Sequence, residues 1–258
     1  MSASGKLVSK IGLVALLAAL FSGFPAAAVE EGSDAKAIAI AEGTLAALGG
    51  QEAWEKSRYF RFDFFGFRTH HWDRYTGRHR LEGKSRDGVE YVVLHNVNTR
   101  EGEVWLNGAK AEGEDAKQWL ERAYGAYIND TYWLLMPYKL LDPGVVLKYD
   151  GEETIDGVVY DKLKLTFGKV GLTPGDTYWA YINRTTRLMD RWAYFLQDWT
   201  ADKKPTAWSW LNWQRYGGIL LSGQRKNLDD GSERGLGQLG IFESLPDTVF
   251  TSPAKVGG

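Results

Sequence analysis

Large apolar and polar positions alternate along residues 177–195, TYWAYINRTTRLMDRWAYF, in two runs joined by a short polar turn. Trp179 and Tyr181 alternate with Ala180 and Ile182 in the first run. Leu188, Asp190, Trp192 and Tyr194 alternate with Met189, Arg191, Ala193 and Phe195 in the second. A period of two sends successive side chains to opposite faces of a sheet, so the stretch predicts a hairpin carrying rings on both faces. A half-buried sheet needs only one apolar face. The second set of rings must therefore meet the protein's own helices, a second layer, a cavity or a partner.

The same alternation recurs along most of the chain, cut by Gly, Pro, Asn and Asp. Residues 59–67, 70–75, 79–82, 89–95 and 102–106 predict a first run of strands, with Asp87-Gly88 and Asn107-Gly108 as two-residue hairpin signals. Residues 145–149, 158–167, 177–183, 188–197, 207–216, 219–226 and 234–242 predict a second run. Turn signals at this spacing, without helices between them, predict an antiparallel meander of about 11 or 12 strands. The period changes in two places. Residues 35–48 carry Ile38, Ala41, Leu45 and Leu48 at helical spacing, with Ser33 or Asp34 to cap the helix and Gly49-Gly50 to stop it. A short turn over residues 51–56 turns Trp54 inward. Residues 115–127 place Ala116, Trp119, Leu120, Ala123, Tyr124 and Tyr127 on one stripe of an amphipathic helix. The segment 129–137 reads as a helical turn or bent connector ended by Pro137.

The N-terminus belongs to no element of this kind. Lys6 and Lys10 precede an apolar run from Ile11 to Phe21, and Ala26-Ala27-Ala28 supplies small residues for cleavage, the pattern of a secretory signal peptide over residues 1–28. That run falls short of the roughly 20 residues a membrane span needs. Residues 29–258 show no linker or repeat and predict a single domain, periplasmic or secreted. The chain has no cysteine, which excludes disulfides, thiolate metal sites, a cysteine nucleophile and the lipidated cysteine of an anchored lipoprotein. The formal charge of -2 becomes -4 once Lys6 and Lys10 are removed. Both signs are interspersed, without the basic stripe that nucleic acid requires.

Candidate chemistry is thin. His70 and His71 are adjacent, so on a strand they point to opposite faces and cannot share an ion. His71, His79 and Asp73 could converge across the turn at Thr76-Gly77, but their spacing matches no zinc motif, and the histidines read as surface or packing residues. Asp190 beside Arg191 reads as a structurally paired acid. No nucleophile elbow, phosphate loop or dinucleotide fingerprint occurs, so no catalytic residue, metal or cofactor is assigned. The aromatic content is the stronger signal: 11 Trp, 13 Tyr and 11 Phe. Such rings fill cores, stack on sugars or line apolar pockets.

The order of these features resembles the LolA/LolB-like bacterial lipoprotein-localisation superfamily, in an exported branch. The residues carrying the resemblance are Leu48-Gly49-Gly50 with Trp54, the segment DRYTGRHR from Asp73 to Arg80, and NDTYWLLMP from Asn129 to Pro137. Tyr178 to Ile182 with Arg187 to Trp192, and the closing Leu245-Pro246-Asp247 with Phe250, complete the set. The resemblance implies a mainly β, α+β fold: a half-open antiparallel β-barrel with helices covering its concave face. It also implies a non-enzymatic binding protein for a lipid or other amphiphile in the cell envelope, with an envelope protein as a possible partner and no transmembrane span in residues 29–258. Residues 115–127 and Tyr132 to Met136 would form a plug. Candidate ligand-binding residues, at mid-strand or on the plug, are Phe62, Phe64, Trp72, Tyr91, Trp105, Trp133, Trp179, Tyr181 and Trp192. Two rival readings remain open: a carbohydrate-binding or carbohydrate-processing protein using Trp platforms, and a structural envelope protein whose helices leave no cavity above about 300 Å³.

Overall fold

The computed structural model describes residues 31–168 and 173–256; the expected signal peptide lies outside the described residues. The first meander comprises β1 (Tyr59–Phe64), β2 (Arg68–Asp73), β3 (Arg78–Lys84), β4 (Glu90–Asn96), β5 (Gly102–Leu106) and β6 (Ala109–Lys110). The second comprises β7 (Val145–Ile155), β8 (Val158–Phe167), β9 (Thr177–Asn183), β10 (Met189–Phe195), β11 (Thr206–Tyr216), β12 (Ile219–Asn227) and β13 (Glu233–Phe242). First and last strands pair, β1 with β13, so both meanders merge into one 13-stranded antiparallel sheet running from β6 through β1 and β13 to β7.

The sheet thus has 13 strands rather than the expected 11 or 12. The two-residue β6 is too short to show alternation. The expected strand over residues 59–67 also ends early, because Phe65 takes a φ of 56° and turns the chain back into β2. Phe64 and Phe65 are therefore ring neighbours across a turn, with centroids 4.2 Å apart, and not opposite-facing strand residues.

Helix α1 (Ala35–Ala47) has no side-chain cap. Ser33 and Asp34, expected to cap it, instead cover the free edge of β7. The Asp34 N–H donates to the Leu147 carbonyl at 2.8 Å, Ser33 Oγ accepts the Leu147 N–H at 3.1 Å, and the Asp34 carboxylate accepts the Tyr149 N–H at 3.0 Å. An exposed edge would otherwise template pairing with another chain. Gly49, between α1 and α2 (Gly50–Lys56), has a φ of 127°, and a Cβ there would sit 2.6 Å from the Gly218 carbonyl oxygen. Only glycine admits this approach. It lets the Leu220 N–H and the Tyr138 hydroxyl both donate to the Leu48 carbonyl.

Helix α3 (Gly113–Leu135) runs for 23 residues and absorbs both the expected 115–127 helix and most of the expected connector. It ends in a 3₁₀ turn at Met136–Lys139. Pro137 explains the ending. It has no N–H for the carbonyl four residues back, that of Trp133. Arg225 fills that vacancy, its Nη2 donating to the Trp133 carbonyl at 2.6 Å. A guanidinium at a helix C-terminus also suits the helix dipole.

The same helix touches both meanders. Trp119, Leu120 and Ala123 pack on Leu81, Tyr91, Val93 and Val104 of β3 to β5. Leu134 and Leu135 pack on Phe60, Phe62, Phe64 and Trp72 of β1 and β2. Tyr132 and Trp133 pack against Trp192 and Trp208 of β10 and β11. A sheet whose two halves both contact one helix must curl around it, which gives the half-open barrel. The outer face of β1 to β4 is covered by α4 (Thr248–Thr251) and the following residues. Tyr59 packs with Val249 and Phe250, and the fully buried Arg80 donates to the carbonyls of Ser252 at 2.7 Å and Ala254 at 2.9 Å.

Candidate functional site

The register of β9 and β10 settles which rings of residues 177–195 face the helix. Ala180 opposes Trp192 and Tyr178 opposes Tyr194, and this row packs inward with Ile182 and Met189. Trp179 opposes Ala193 and Tyr181 opposes Arg191, on the outer face. There Lys162 lies over both outer rings, 5.9 and 5.5 Å from their centroids.

Between α3 and the inner face of β8 to β10 lies a cavity of about 340 Å³. Tyr132, Trp133, Phe167, Tyr178 and Trp192 form its aromatic walls, with Gly125, Ile128 and Leu196 between them. Trp133 is the hinge of the wall, meeting Trp192 edge-on at 4.9 Å and Trp208 at 5.2 Å. Edge-to-face contacts of this kind hold rings in place more firmly than area alone. The polar rim consists of Asn129, Thr173 and Asp176. Asp176 is buried, and its carboxylate accepts bonds from Thr173 Oγ1 at 2.6 Å, the Tyr178 hydroxyl at 3.2 Å and the Gln197 N–H at 2.8 Å. The Tyr132 hydroxyl and Trp192 Nε1 are buried away from the open space and have no hydrogen-bond partner among the described residues, as is also true of Nε1 in Trp72, Trp208, Trp210 and Trp213. Burial, with Tyr178, Asp142 and Asp176 nearby, pushes the Tyr132 phenol well above its ordinary value, so it stays a neutral donor.

Of the nine residues expected at a ligand site, the structure brings Trp133 and Trp192 together in this cavity. Phe62, Phe64 and Trp72 lie on the inner face against the other side of α3. Tyr91 is also inward, its ring 4.8 Å from Trp119. Trp105 faces outward, in a groove of about 860 Å³ that it shares with Asp63, Thr69, Glu82 and Val92. Trp179 and Tyr181 face outward on β9. The outer groove is larger, but its walls carry charges of both signs, from Glu82 and Lys84 to Lys255. The inner cavity is the better candidate, because five aromatic rings wall it and only a few polar groups rim it. Tyr132, Phe167 and Tyr178 were missed as wall residues. Tyr178 alternates in step with Ala180 and carried a signal, but the sequence did not say which row of that strand faces in.

A second feature lies beside the cavity. Asp130 follows Asn129 on α3 and is fully buried. It takes a bidentate bond from Arg68, at 2.5 and 2.7 Å, and one from His70 Nε2 at 2.8 Å. His70 Nδ1 lies 3.0 Å from His79 Nε2, and His79 Nδ1 lies 2.7 Å from His95 Nε2. A carboxylate only accepts, so its hydrogen bond fixes the tautomers in sequence: each imidazole carries its proton on Nε2 and accepts on Nδ1. The last acceptor, His95 Nδ1, is buried with no partner among the described residues. Burial lowers the pKa of all three histidines, that of His95 to about 4. Burial alone would raise that of Asp130, but the bonds from His70 and Arg68 outweigh it and hold the carboxyl below its usual range. The histidines are thus neither surface residues nor simple packing; they form a buried polar chain that pins α3 to β2, β3 and β4. His71 faces the other way and is not part of it. Asp73 pairs outward with Arg58, so the convergence of His71, His79 and Asp73 does not form. Asp190 accepts from Asn183 at 2.8 Å while Arg191 pairs with Asp156, so these sequence neighbours do not pair with each other. Among the described residues no group of three potential ligands could hold a metal ion.

No family model matches the chain, and no curated protein matches it. Solved structures do. A DUF1329 family protein from Desulfovibrio piger is 15% identical, with a TM-score of 0.45 over 83% of this chain and 96% of that one. A LolA superfamily protein from Nitrosomonas europaea is 12% identical, with a TM-score of 0.47 over 84% and 97%. An outer membrane lipoprotein-sorting domain from Vibrio parahaemolyticus is 9% identical, with a TM-score of 0.42 over 83% and 96%. Likeness at this level concerns the course of the chain and carries no functional argument.

Proposed function

We propose that this is an exported, non-enzymatic protein of the bacterial cell envelope that binds a lipid or similar amphiphile in the cavity beneath α3. The observation that carries the reading is the cavity itself: about 340 Å³, walled by five aromatic rings and rimmed by Asn129, Thr173 and Asp176. Apolar walls with a few placed polar groups are the usual form of a small-molecule site, and about 300 Å³ is the lower end of its size. Rings exclude water and hold an acyl chain without directional bonds. The filled-core alternative expected nothing above about 300 Å³. The sugar-platform alternative expected a row of exposed rings, but the exposed large apolar residues are Phe67, Tyr75, Leu211 and Leu228, with no tryptophan among them.

The most enzyme-like group, the Asp130–His70 acid–imidazole pair, is fully buried and has a structural use in this reading: with His79 and His95 it pins α3 to β2, β3 and β4. No helix among the described residues is long and apolar enough to cross a membrane. Titration of tryptophan fluorescence with amphiphiles tests the reading. Emission should change saturably, and the Trp133→Phe and Trp192→Phe variants should each lose much of the response. A signal indifferent to every amphiphile, in a protein with native near-ultraviolet circular dichroism, would overturn it.

A further inference from the structure

We infer, given the lipid-binding reading above, that the cavity takes a single acyl chain of about ten carbons, that the chain enters past Gly125 on α3, and that a second chain finds no room. Gly125, Ile128, Asn129, Tyr132 and Trp133 line the cavity from the helix side. Their spacing puts them on one stripe of α3, because residues three and four apart on a helix are neighbours. Tyr132 and Trp133 meet the Trp192 ring of β10, while Asn129, one turn back, is exposed. Gly125 stands one turn further from those rings, and a Cβ built there meets nothing within 4 Å. Glycine is a poor helix former, yet Gly125 lies well inside the helix and does not use the left-handed conformation that favours glycine. Its missing side chain leaves a gap at the mouth. Gly43 of α1 also has open space beyond it but does not line this cavity.

The width of the cavity is fixed as well. Asp130, next to Asn129, is bonded to Arg68 and His70 of β2. The Trp133 carbonyl accepts from Arg225 of β12 at 2.6 Å. Lifting α3 to widen the space would strand the buried Asp130 carboxylate and the buried Arg225 guanidinium, a heavy cost inside a protein. The opposite wall is the sheet itself, at Tyr178 and Trp192. A methylene has roughly the bulk of a water molecule, about 30 Å³ in the liquid, so about 340 Å³ takes roughly eleven of them. Two ten-carbon chains would need roughly 600 Å³.

The test uses probes that share one head group: lysophosphatidylcholines with acyl chains of six to fourteen carbons, and dioctanoyl-phosphatidylcholine. Each is titrated into the whole protein below its critical micelle concentration and followed by isothermal calorimetry. Each methylene that enters should tighten binding about fourfold, and the gain should stop at about eleven carbons. Dioctanoyl-phosphatidylcholine should bind within about threefold of the octanoyl probe, because a chain left in water gains nothing. Gly125→Leu and, as a second filling variant, Gly125→Met should each weaken the decanoyl probe at least about tenfold, the loss of about two methylenes of depth. Both should melt no lower than wild type, since each puts a better helix former in an open position. An affinity that keeps rising through fourteen carbons overturns the single-chain inference and leaves the lipid-binding reading standing. So does a two-chain probe that binds more than about tenfold more tightly than its one-chain counterpart. A folded filling variant that binds the decanoyl probe like wild type overturns entry past Gly125. Binding of no probe at any length removes both the inference and the reading beneath it. The wild-type series decides the number of chains even if a variant fails to fold.

Discussion

Replacing Asp130 by alanine removes the one charge on α3 that both Arg68 and the histidine chain depend on. In the wild-type protein the Asp130 side chain is fully buried, while that of Arg68 keeps 26% of its surface exposed. Removing one member of a buried pair typically costs about 3–5 kcal/mol, because its partner is left uncompensated. Arg68 can recover some hydration through its exposed part, which favours the lower end. His70 cannot: it is completely buried, and its Nε2–H would lose its acceptor, at about 1–3 kcal/mol. The two losses share one site and do not simply add, so a total near 4 kcal/mol is expected, a large fraction of the 5–15 kcal/mol that holds a typical domain together. With a urea slope near 3 kcal/mol per molar, the midpoint should fall by about 1–1.5 M. Arg68→Ala provides the cycle: the double variant should be far less destabilised than the sum of the singles. If Asp130→Ala lost less than about 1 kcal/mol with its near-ultraviolet tryptophan signal intact, the chain would not be what holds α3 on the sheet.

Other consequences are equally direct. His71 and His95 have pKa values lowered to about 4, in both cases chiefly by burial, and His70 and His79 are lowered as well. A depressed folded-state pKa means that the unfolded chain takes up protons first, so stability is complete above about pH 6.5 and falls as pH drops towards 4. His71 and His95 alone account for about 3 kcal/mol each over that window; urea midpoints that stay level from pH 7 to 4.5 would contradict it. Gly102 faces β4 so closely that a Cβ would lie 2.2 Å from the Leu94 carbonyl oxygen. Gly102→Ala should therefore cost about 3 kcal/mol by thermal melting, while alanine at Gly125, where nothing lies within 4 Å, should cost nothing. Arg80→Ala should free the segment from Ser252 to Val256 from the outer face, seen as faster amide exchange there without loss of exchange protection in β9 and β10.

Much of this architecture was legible because one signal, alternation, governs most of the chain. Twelve of the strands follow from it, most with small errors at their ends, though β7 runs on to Ile155, well past the expected 145–149. Beyond it, local pattern gave way to tertiary chemistry in identifiable places. Pro137 marked the end of α3, but nothing local showed that the helix continues through Asn129 to Leu135, since what caps it is Arg225, far along the chain. The histidine chain was invisible for a similar reason. His79 opposes His95 and Trp72 opposes His79 only once strand register is known, and Asp130 arrives from a helix. The binding-site expectation suffered from the same missing register. Choosing mid-strand aromatics captured Trp192 and, from the plug, Trp133. It also drew in Trp105, Trp179 and Tyr181, which share the pattern but occupy the opposite face, where long lysine side chains cover them.

The most direct test of the account is mass spectrometry of whatever the protein carries when purified from a native cell envelope without detergent exchange. The account predicts a stoichiometric amphiphile with an acyl chain, released on denaturation and lost in a Trp133→Ala variant that disrupts the cavity wall. Protein that is ligand-free after gentle extraction, and that takes up no lipid when incubated with envelope extracts, would contradict it.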